Sequence, residues 1–397
     1  MKIAMIGQKG IPSRAGGIEV HVEEISKRLV CMGYRVEAYC RRDYCDREFE
    51  EDLFDGIKVK YTPFIKSKHL DAITHTLTST FSALFSGCNL FHYHALGPST
   101  LSFIPRLFGK KVICTVHGLD WQRGKWGRLA SMYLKFGEYA SAKFSHKVIN
   151  VSKNLVEYFR DKYNIETQYI PNGIQRPDIL KPNIIKTKYN LDQNDYILFL
   201  ARIVPEKGIH YLIDAYSKIR THKKLVIAGG SSHSNAYESE LKSKAKGNEN
   251  IIFTGFVKDA ELAELYSNAY FYVLPSDIEG LPISLLEAMS YGNCCLVSDI
   301  PENTNVISTM GYSFKKSNID DLANKLNMLI QDEDRVTQIK KYVSGYVIRK
   351  YNWDEIAVKT SKVYKEISQK KHSHKASFAC QETKGSSKII NMEVKKL

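Results

Sequence analysis

The sequence predicts an α/β protein of two Rossmann-like domains, each a parallel sheet with helices on both faces, set across a cleft. Three observations predict it. Short apolar runs alternate with amphipathic helical stripes from the first residues onward. The alternation pauses at TQYIPNGIQRPD and then restarts. A chain of 397 residues, 43% of them hydrophobic, is long enough for two separate cores. Such alternation implies mostly parallel sheets, and in these the ligands gather beyond the carboxyl ends of the strands.

The first half opens with a strand from Ile3 to Ile6, a glycine-bearing loop from Gly7 to Gly17, and a helix that carries Ile18, Val22, Ile25 and Leu29 on one face. Gly33 closes that helix before a second strand, RVEAYC. The runs LFHYHALG, KVICTVHG and HKVINVS follow as strands, with helical patterns such as HLDAITHTLTSTFSALF between them. Pro171, Asn172 and Gly173 supply turn chemistry and mark the junction. In the second half YILFLARI, KLVIAGG, NIIFTGFV, FYVLPS and CCLVSD read as strands. Gly208 to Ile219, DAELAELYSNA, the segment after Pro282 and DDLANKLNMLI read as helices. The expected divisions are therefore 1–173, 174–350, a helix within 351–369, and a tail at 370–397 with seven lysines and two acids that reads as disordered and solubilising, or membrane-touching.

The net charge of +14 and pI of about 9.2 point to an anionic partner. No zinc-finger spacing or aromatic RNA-binding strand pair is present, so an anionic membrane surface ranks ahead of nucleic acid. Eight cysteines are scattered without a CxxC pair, which favours reduced thiols over a structural zinc. The apolar run in MKIAMIGQKG is too short for a signal peptide, and no stretch approaches the roughly 18 apolar residues of a membrane span. A cytoplasmic, at most peripheral, protein is expected.

The segment SDIEGLPISLLEAMSYG carries Glu279 in a loop and Glu287 inside a helix whose first turn suits Pro282. Eight residues on one helix rise about 12 Å, too far for the two acids to share a proton. The arrangement suits a ligand with hydroxyls at both ends and negative charge between them, held by the helix N-terminus. Arg202 and Lys207 lie beyond the first strand of the second half and would complete a diphosphate site; as isolated residues either reads as a surface cation. Gly16 and Gly17 precede a helix directly, where backbone can approach a phosphate or simply pack a tight turn. The loop lacks a G-x-G-x-x-G fingerprint, and Tyr39, Cys40 and Arg41 stand where a dinucleotide ribose needs an acid, so hydride chemistry is disfavoured. No Asp-x-Asp motif marks a metal; Asp320 and Asp321 read as a helix cap. Asp120, Trp121, Arg123, Lys125 and Trp126 mix rings with cations past a strand end, which suits a sugar or lipid diphosphate, or a loop anchored by tryptophans. The stripe Leu70, Ile73, Leu77, Phe81, Leu84, Phe85 is either core or a membrane-docking face. His92 and His94 share a strand face and read as structure.

The glycine pair near the N-terminus, TVHG, PNG at the junction, R-x4-KG, and Glu-Gly-Leu-Pro followed by Leu-Glu-Ala-Met together resemble glycosyltransferase family 4 over roughly residues 1–367. Its members are retaining nucleotide-sugar enzymes of GT-B fold. IGQKGIPSRAGGIEVHVEEI and HALGPS with TVHGLDWQRGKWGR are similar to a bacterial, rhamnosyltransferase-like subgroup of surface-polysaccharide assembly, O-antigen or capsule. The resemblance implies that Arg202 and Lys207 hold the donor diphosphate, that Glu287 accepts from ribose hydroxyls and Glu279 from the transferred sugar. It implies that backbone N–H groups around Gly280, Leu281, Pro282 and Ile283 cradle phosphate, with Gly16 and Gly17 approaching from the other domain. His117 would contact the donor sugar, although a buried core histidine is the plain reading of that position. Asp120, Trp121 and Arg123 are the acceptor-side candidates. The implied reaction needs no metal and no cofactor beyond the nucleotide-diphosphate sugar, and its acceptor is a glycan, lipid-linked through polyprenyl diphosphate. A non-catalytic GT-B subunit that binds a glycan or partner is the alternative.

Overall fold

The computed structural model describes residues 1–12, 16–45, 53–67, 70–124, 126–230 and 235–369. The tail at 370–397 and Lys125 lie outside them. The strands are β1 (Lys2–Ile6), β2 (Arg35–Cys40), β3 (Leu53–Phe54), β4 (Ile57–Tyr61), β5 (Leu90–His94), β6 (Lys111–Val116), β7 (Lys147–Asn150), β8 (Gln168–Tyr169), β9 (Tyr196–Leu200), β10 (Lys224–Ala228), β11 (Ile251–Gly255), β12 (Phe271–Leu274), β13 (Cys295–Ser298) and β14 (Tyr312–Phe314). Among the described residues they form two sheets, ordered 3-4-2-1-5-6-7-8 and 11-10-9-12-13-14. Every pairing is parallel except β3 with β4.

The central strands are continuous apolar runs because helices cover both of their faces. All five residues of β9 and all four of β12 are buried. In each sheet the strand order reverses once near the centre, between β1 and β5 and between β9 and β12. A crevice opens at such a reversal, beyond the carboxyl ends, because the two following connections leave in opposite directions.

The last helix, residues 353–369, crosses back to the first domain: Trp353, Ile356, Val363, Tyr364 and Ile367 pack with Ile3, Val22, Ile25 and Leu90. The outgoing and returning chains run together at the junction, where Ile174 N–H donates to the Tyr351 carbonyl at 2.6 Å. Gly173 is required there, since a Cβ would lie 2.4 Å from the Trp353 ring.

Three sequence expectations change. The helix Asp71–Phe85 turns its apolar stripe outward: Leu70, Leu77 and Phe81 are exposed, Phe85 is 88% exposed, and the buried side carries His75, Thr76, Ser79, Thr80 and Ala83. The hydroxyls can be buried because they are satisfied locally, Thr76 to the Ala72 carbonyl at 2.6 Å and Thr80 to that of Thr76 at 2.7 Å. The core reading of that stripe is overturned for Leu70, Leu77, Phe81 and Phe85, while Ile73 and Leu84 are half-buried and Leu84 packs against the core. Pro282 sits just before its helix, which spans Ile283–Ser290, with the Pro282 carbonyl accepting from the Leu285 and Leu286 N–H groups. The helix after Gly208 is shorter than its pattern, Ile209–Tyr216. Among the described residues the seven cysteines are all free, and no helix is long and apolar enough to cross a membrane.

Candidate active site

Arg202 and Lys207 follow β9, and Glu279 follows β12; because these strands are neighbours, the two loops share the crevice at the strand-order reversal. Lys207 ends a short 3-10 turn, Pro205–Lys207, and its ammonium ion-pairs with the Glu279 carboxylate, both side chains being about nine-tenths buried. Gly208 makes the approach possible: it has φ of +68°, and a Cβ there would lie 2.0 Å from the Pro275 carbonyl oxygen. Asp277 N–H donates to the Glu206 carbonyl at 2.9 Å, which ties the two loops together.

The charges are strongly coupled. Burial pulls the Lys207 ammonium below its ordinary range; Glu279 opposes this, while Arg202 and Arg123 add to it. Burial likewise lowers Arg202, followed by repulsion from Arg123, against the pull of Glu206, Glu279 and Glu19. Lys9, from the loop after β1, is also lowered by burial, with Arg41 and Arg202 contributing. Arg202 is thus within electrostatic reach of Lys207 and, across the two domains, of Arg123 and Lys9, in surroundings where positive charge is penalised. An anion entering them would relieve that penalty.

The helix Ile283–Ser290 has no side-chain cap at its N-terminus, so its first N–H groups are offered to the cleft. Gly280, just before it, touches the other domain: a Cβ at Gly280 would lie 1.7 Å from the His117 carbonyl oxygen, and one at Gly118 would lie 3.6 Å from Gly280 Cα. Gly17 faces the same helix, with Ile283 Cδ1 3.4 Å from the position of an added Cβ. Gly16 is extended, and its need for a missing side chain is local, because a Cβ would lie 2.4 Å from the Glu19 carboxylate. Glu19 in turn accepts the Lys9 N–H at 3.0 Å. The Leu281 carbonyl accepts from Asn172 Nδ2 at 2.9 Å, linking the domain junction to the glycine-leucine-proline loop. Glu287 accepts the Tyr266 hydroxyl at 3.2 Å and borders a crevice with Glu24, Gln175 and Trp353.

Of the acceptor-side candidates, Trp121 is anchored: its Nε1–H donates at 2.6 Å to Glu138, a fully buried carboxylate that also accepts from Tyr158, Lys162 and Tyr163. That favours the anchored-loop reading of this tryptophan. Asp120 holds Arg123 at 3.0 Å. Arg123 faces the cation group, lowering Arg202, Lys207 and His117.

Sequence reasoning missed His21 and Asn172, both buried. His21 Nδ1 lies 2.9 Å from Asn172 Oδ1. Since the same amide donates to the Leu281 carbonyl, its oxygen is the acceptor, and the His21 proton belongs on Nδ1. The His21 ring meets His117 edge-on, centroids 4.8 Å apart. The available signals were a histidine one position off the buried stripe and an asparagine in the PNG turn. Both make contacts across long sequence separations, which a linear pattern does not display. His21, His94 and His117 bring ligand nitrogens within 4.8 Å of one another. Tetrahedral ligands at the zinc–nitrogen distance stand about 3.4 Å apart, so this triangle is wide for a cation, and Arg123 adjoins it.

A model described as Glycosyltransferase Family 4 matches residues 15–176, and one described as Glycosyl transferases group 1 matches residues 182–344. An uncharacterized glycosyltransferase of Methanocaldococcus jannaschii is 28% identical over 395 residues, 92% of this chain and 98% of its own. The N,N'-diacetylbacillosaminyl-diphospho-undecaprenol alpha-1,3-N-acetylgalactosaminyltransferase of Campylobacter jejuni is 27% identical over 57% of this chain and 62% of its own. Among solved structures, sucrose-phosphate synthase from Thermosynechococcus elongatus superposes with a TM-score of 0.78 at 21% identity, over 92% of this chain and 98% of that one. The Anabaena protein HepE, solved with UDP and glucose, gives 0.75 at 17% identity, over 92% and 100%. At these identities the two structures speak for a shared fold.

Proposed function

From the premise that this chain belongs to the glycosyltransferases, a family 4 half followed by a group 1 half, we propose that it moves a sugar from a nucleoside-diphosphate sugar to a glycan acceptor, with retention at the anomeric carbon and without a metal. The observation that carries this is the meeting of Lys207, Arg202 and an uncapped helix start at one strand-order reversal, closed from the other domain by His117 and Gly118. When the bond between sugar and phosphate breaks, its electron pair goes to the diphosphate oxygen. Preorganised cations and N–H dipoles lower the barrier most where they meet that charge. Arg202, Lys207 and the N–H groups of Gly280, Leu281 and Ile283 occupy that role. Glu279 orients Lys207 and keeps its second oxygen for a hydroxyl of the transferred sugar; Glu287 receives the ribose, and His117 meets the sugar from the opposite side. The acceptor oxygen attacks on the face that the phosphate leaves, and its proton passes to the departing phosphate oxygen.

The acceptor reading is lipid-linked glycan, in polysaccharide biosynthesis at the cytoplasmic face of a membrane. The Campylobacter jejuni relative, named for an undecaprenol-diphosphate substrate, supports it. So does one face of the first domain: Phe81 and Phe85 on the helix Asp71–Phe85, Leu107 and Phe108 at the end of the helix Phe103–Leu107, and Leu129, Met132 and Phe136 on the helix Arg128–Phe144 are all exposed. In sequence, residues 103–147 carry nine Lys or Arg and two acids. Both acids are committed, Asp120 to Arg123 and Glu138 in its buried group. Exposed apolar side chains beside a stretch in which cations outnumber acids suit an anionic bilayer, at about 1 kcal/mol per cation near the surface.

Two experiments test this reading. Purified protein with a panel of UDP-, GDP- and dTDP-sugars should release nucleotide from one of them; no release and no thermal protection by any nucleotide would favour a non-catalytic binding subunit. Co-sedimentation with phosphatidylglycerol vesicles should be lost in L129E/F136E, and equal binding by both proteins would remove this face from the account.

A further inference from the structure

Four histidines stand behind the cleft, and one of them has no evident structural explanation. His92 is fully used, with Nδ1 2.7 Å from the Tyr364 hydroxyl and Nε2 2.7 Å from that of Thr115. His21 is held by Asn172. His94 is different: its Nδ1 lies 3.3 Å from His117 Nε2, and its own Nε2 is buried with no hydrogen-bond partner among the described residues. Burial, with repulsion from neighbouring histidines, keeps both rings well below the ordinary imidazole range. Each ring therefore carries a single proton near neutral pH, and two arrangements compete.

In the first, His117 donates from Nε2 to His94, and the remaining His94 proton sits on Nε2 as a buried donor with nothing to receive it. In the second, His94 donates from Nδ1 to His117, and the unpartnered His94 nitrogen is a bare lone pair. Orphaned buried N–H groups are rarer in folded proteins than under-used acceptors, which selects the second arrangement. The backbone also holds His94 in place. Its carbonyl packs so closely on Gly7 that a Cβ there would lie 2.3 Å away. The next residue, Ala95, takes φ of +73°, which side-chain-bearing residues rarely adopt, while its N–H donates to the Thr115 carbonyl at 2.9 Å.

We propose that His94 is a positioning residue that sets the tautomer of His117: its Nδ1–H donates to His117 Nε2, so His117 carries its proton on Nδ1 and presents a neutral N–H donor to whatever oxygen enters the cleft. His117 is the half-exposed member of the group, while His21, His92 and His94 are buried. With its Nε2 engaged, Nδ1–H is the ring atom left for a ligand. The identity of that oxygen, on the donor sugar or its phosphate, rests on the transferase reading above; the hydrogen bond between the rings does not.

Long-range proton–nitrogen correlation spectra of the full chain, labelled with nitrogen-15 histidine, test this directly, with the His117 signals identified by their loss in His117→Gln. The wild type should show His117 protonated at Nδ1. His94→Asn, whose amide can still donate, should keep that tautomer and turnover close to wild type. His94→Asp, which can only accept, should move the proton to Nε2 and lower kcat about 100-fold, the scale of losing one preorganised donor. A wild type protonated at Nε2 overturns the proposal, as do Asn and Asp variants with the same tautomer. A wild type protonated at Nδ1 that turns over no donor refutes the transferase reading and upholds the hydrogen bond. Should His94→Asp fail to fold, the wild-type spectrum alone decides.

Discussion

Replacing Lys207 separates its structural from its chemical contribution. Lys207 and Glu279 are about nine-tenths buried and paired with each other. Removing the ammonium in Lys207→Met therefore strands a buried carboxylate, which typically costs about 3–5 kcal/mol. For a unit of roughly 150–250 residues, each kcal/mol shifts Tm by about 2–4 °C, so a fall of about 6–20 °C is expected. In K207M/E279Q no unpaired charge remains, and most of that loss should return. Turnover should not return: both variants lack the cation beside the leaving diphosphate and should lose about 100- to 1,000-fold in kcat. Calorimetry and nucleotide-release kinetics on wild type, both single variants and the double variant measure the two effects independently. The reasoning is refuted if K207M melts with the wild type, or if the double variant regains turnover along with stability.

Other consequences follow from the same contacts. Gly280→Ala places a Cβ 1.7 Å from the His117 carbonyl oxygen, and reaching ordinary contact requires the domains to part by about 1.5 Å; kcat should fall with little change in Tm, whereas wild-type turnover would show that the contact is dispensable. Burial lowers His21 to about 4 and His92 to about 3. The unfolded chain then binds more protons below the ordinary histidine pKa, so stability is complete above about pH 6.5 and declines toward pH 4, each ring contributing up to about 1.4 kcal/mol per pH unit. Melting curves from pH 7.5 to 4.5 should show this slope and a shallower one in His92→Gln; a flat profile would contradict it. EDTA should leave turnover unchanged, and a loss restored by zinc would put an ion among His21, His94 and His117.

How much of this was legible in the sequence depended on the range of the signal. Strands such as β9 and β12 are continuous apolar runs, and period alone finds them. The strands β8 and β14, of two and three residues, are too short to show a period. The helix Glu333–Lys350 hid because its buried residues, Val336, Val343 and Val347, are sparse among lysines and arginines. The outward turn of Asp71–Phe85 was not decidable from its stripe, since an apolar face looks the same whether protein or another surface covers it. Within the site, Arg202, Lys207 and the helix beyond Gly280 were marked by motif and by position at strand ends. Their pairing was not: Lys207 and Glu279 are 72 residues apart, and only the adjacency of β9 and β12 joins them. His21 and Asn172, 151 residues apart, lacked even a motif to connect them.

The central claim is spatial, that both domains close on the diphosphate of a nucleotide donor. A crystal structure of the protein with UDP or GDP, whichever protects it from heat, tests that most directly. The diphosphate should lie between the Arg202 guanidinium, the Lys207 ammonium and the N–H groups preceding Ser284, with donor–acceptor distances of about 2.7–3.2 Å. A nucleotide seated elsewhere, with Lys207 still paired to Glu279 and Arg202 touching no phosphate, would contradict the account.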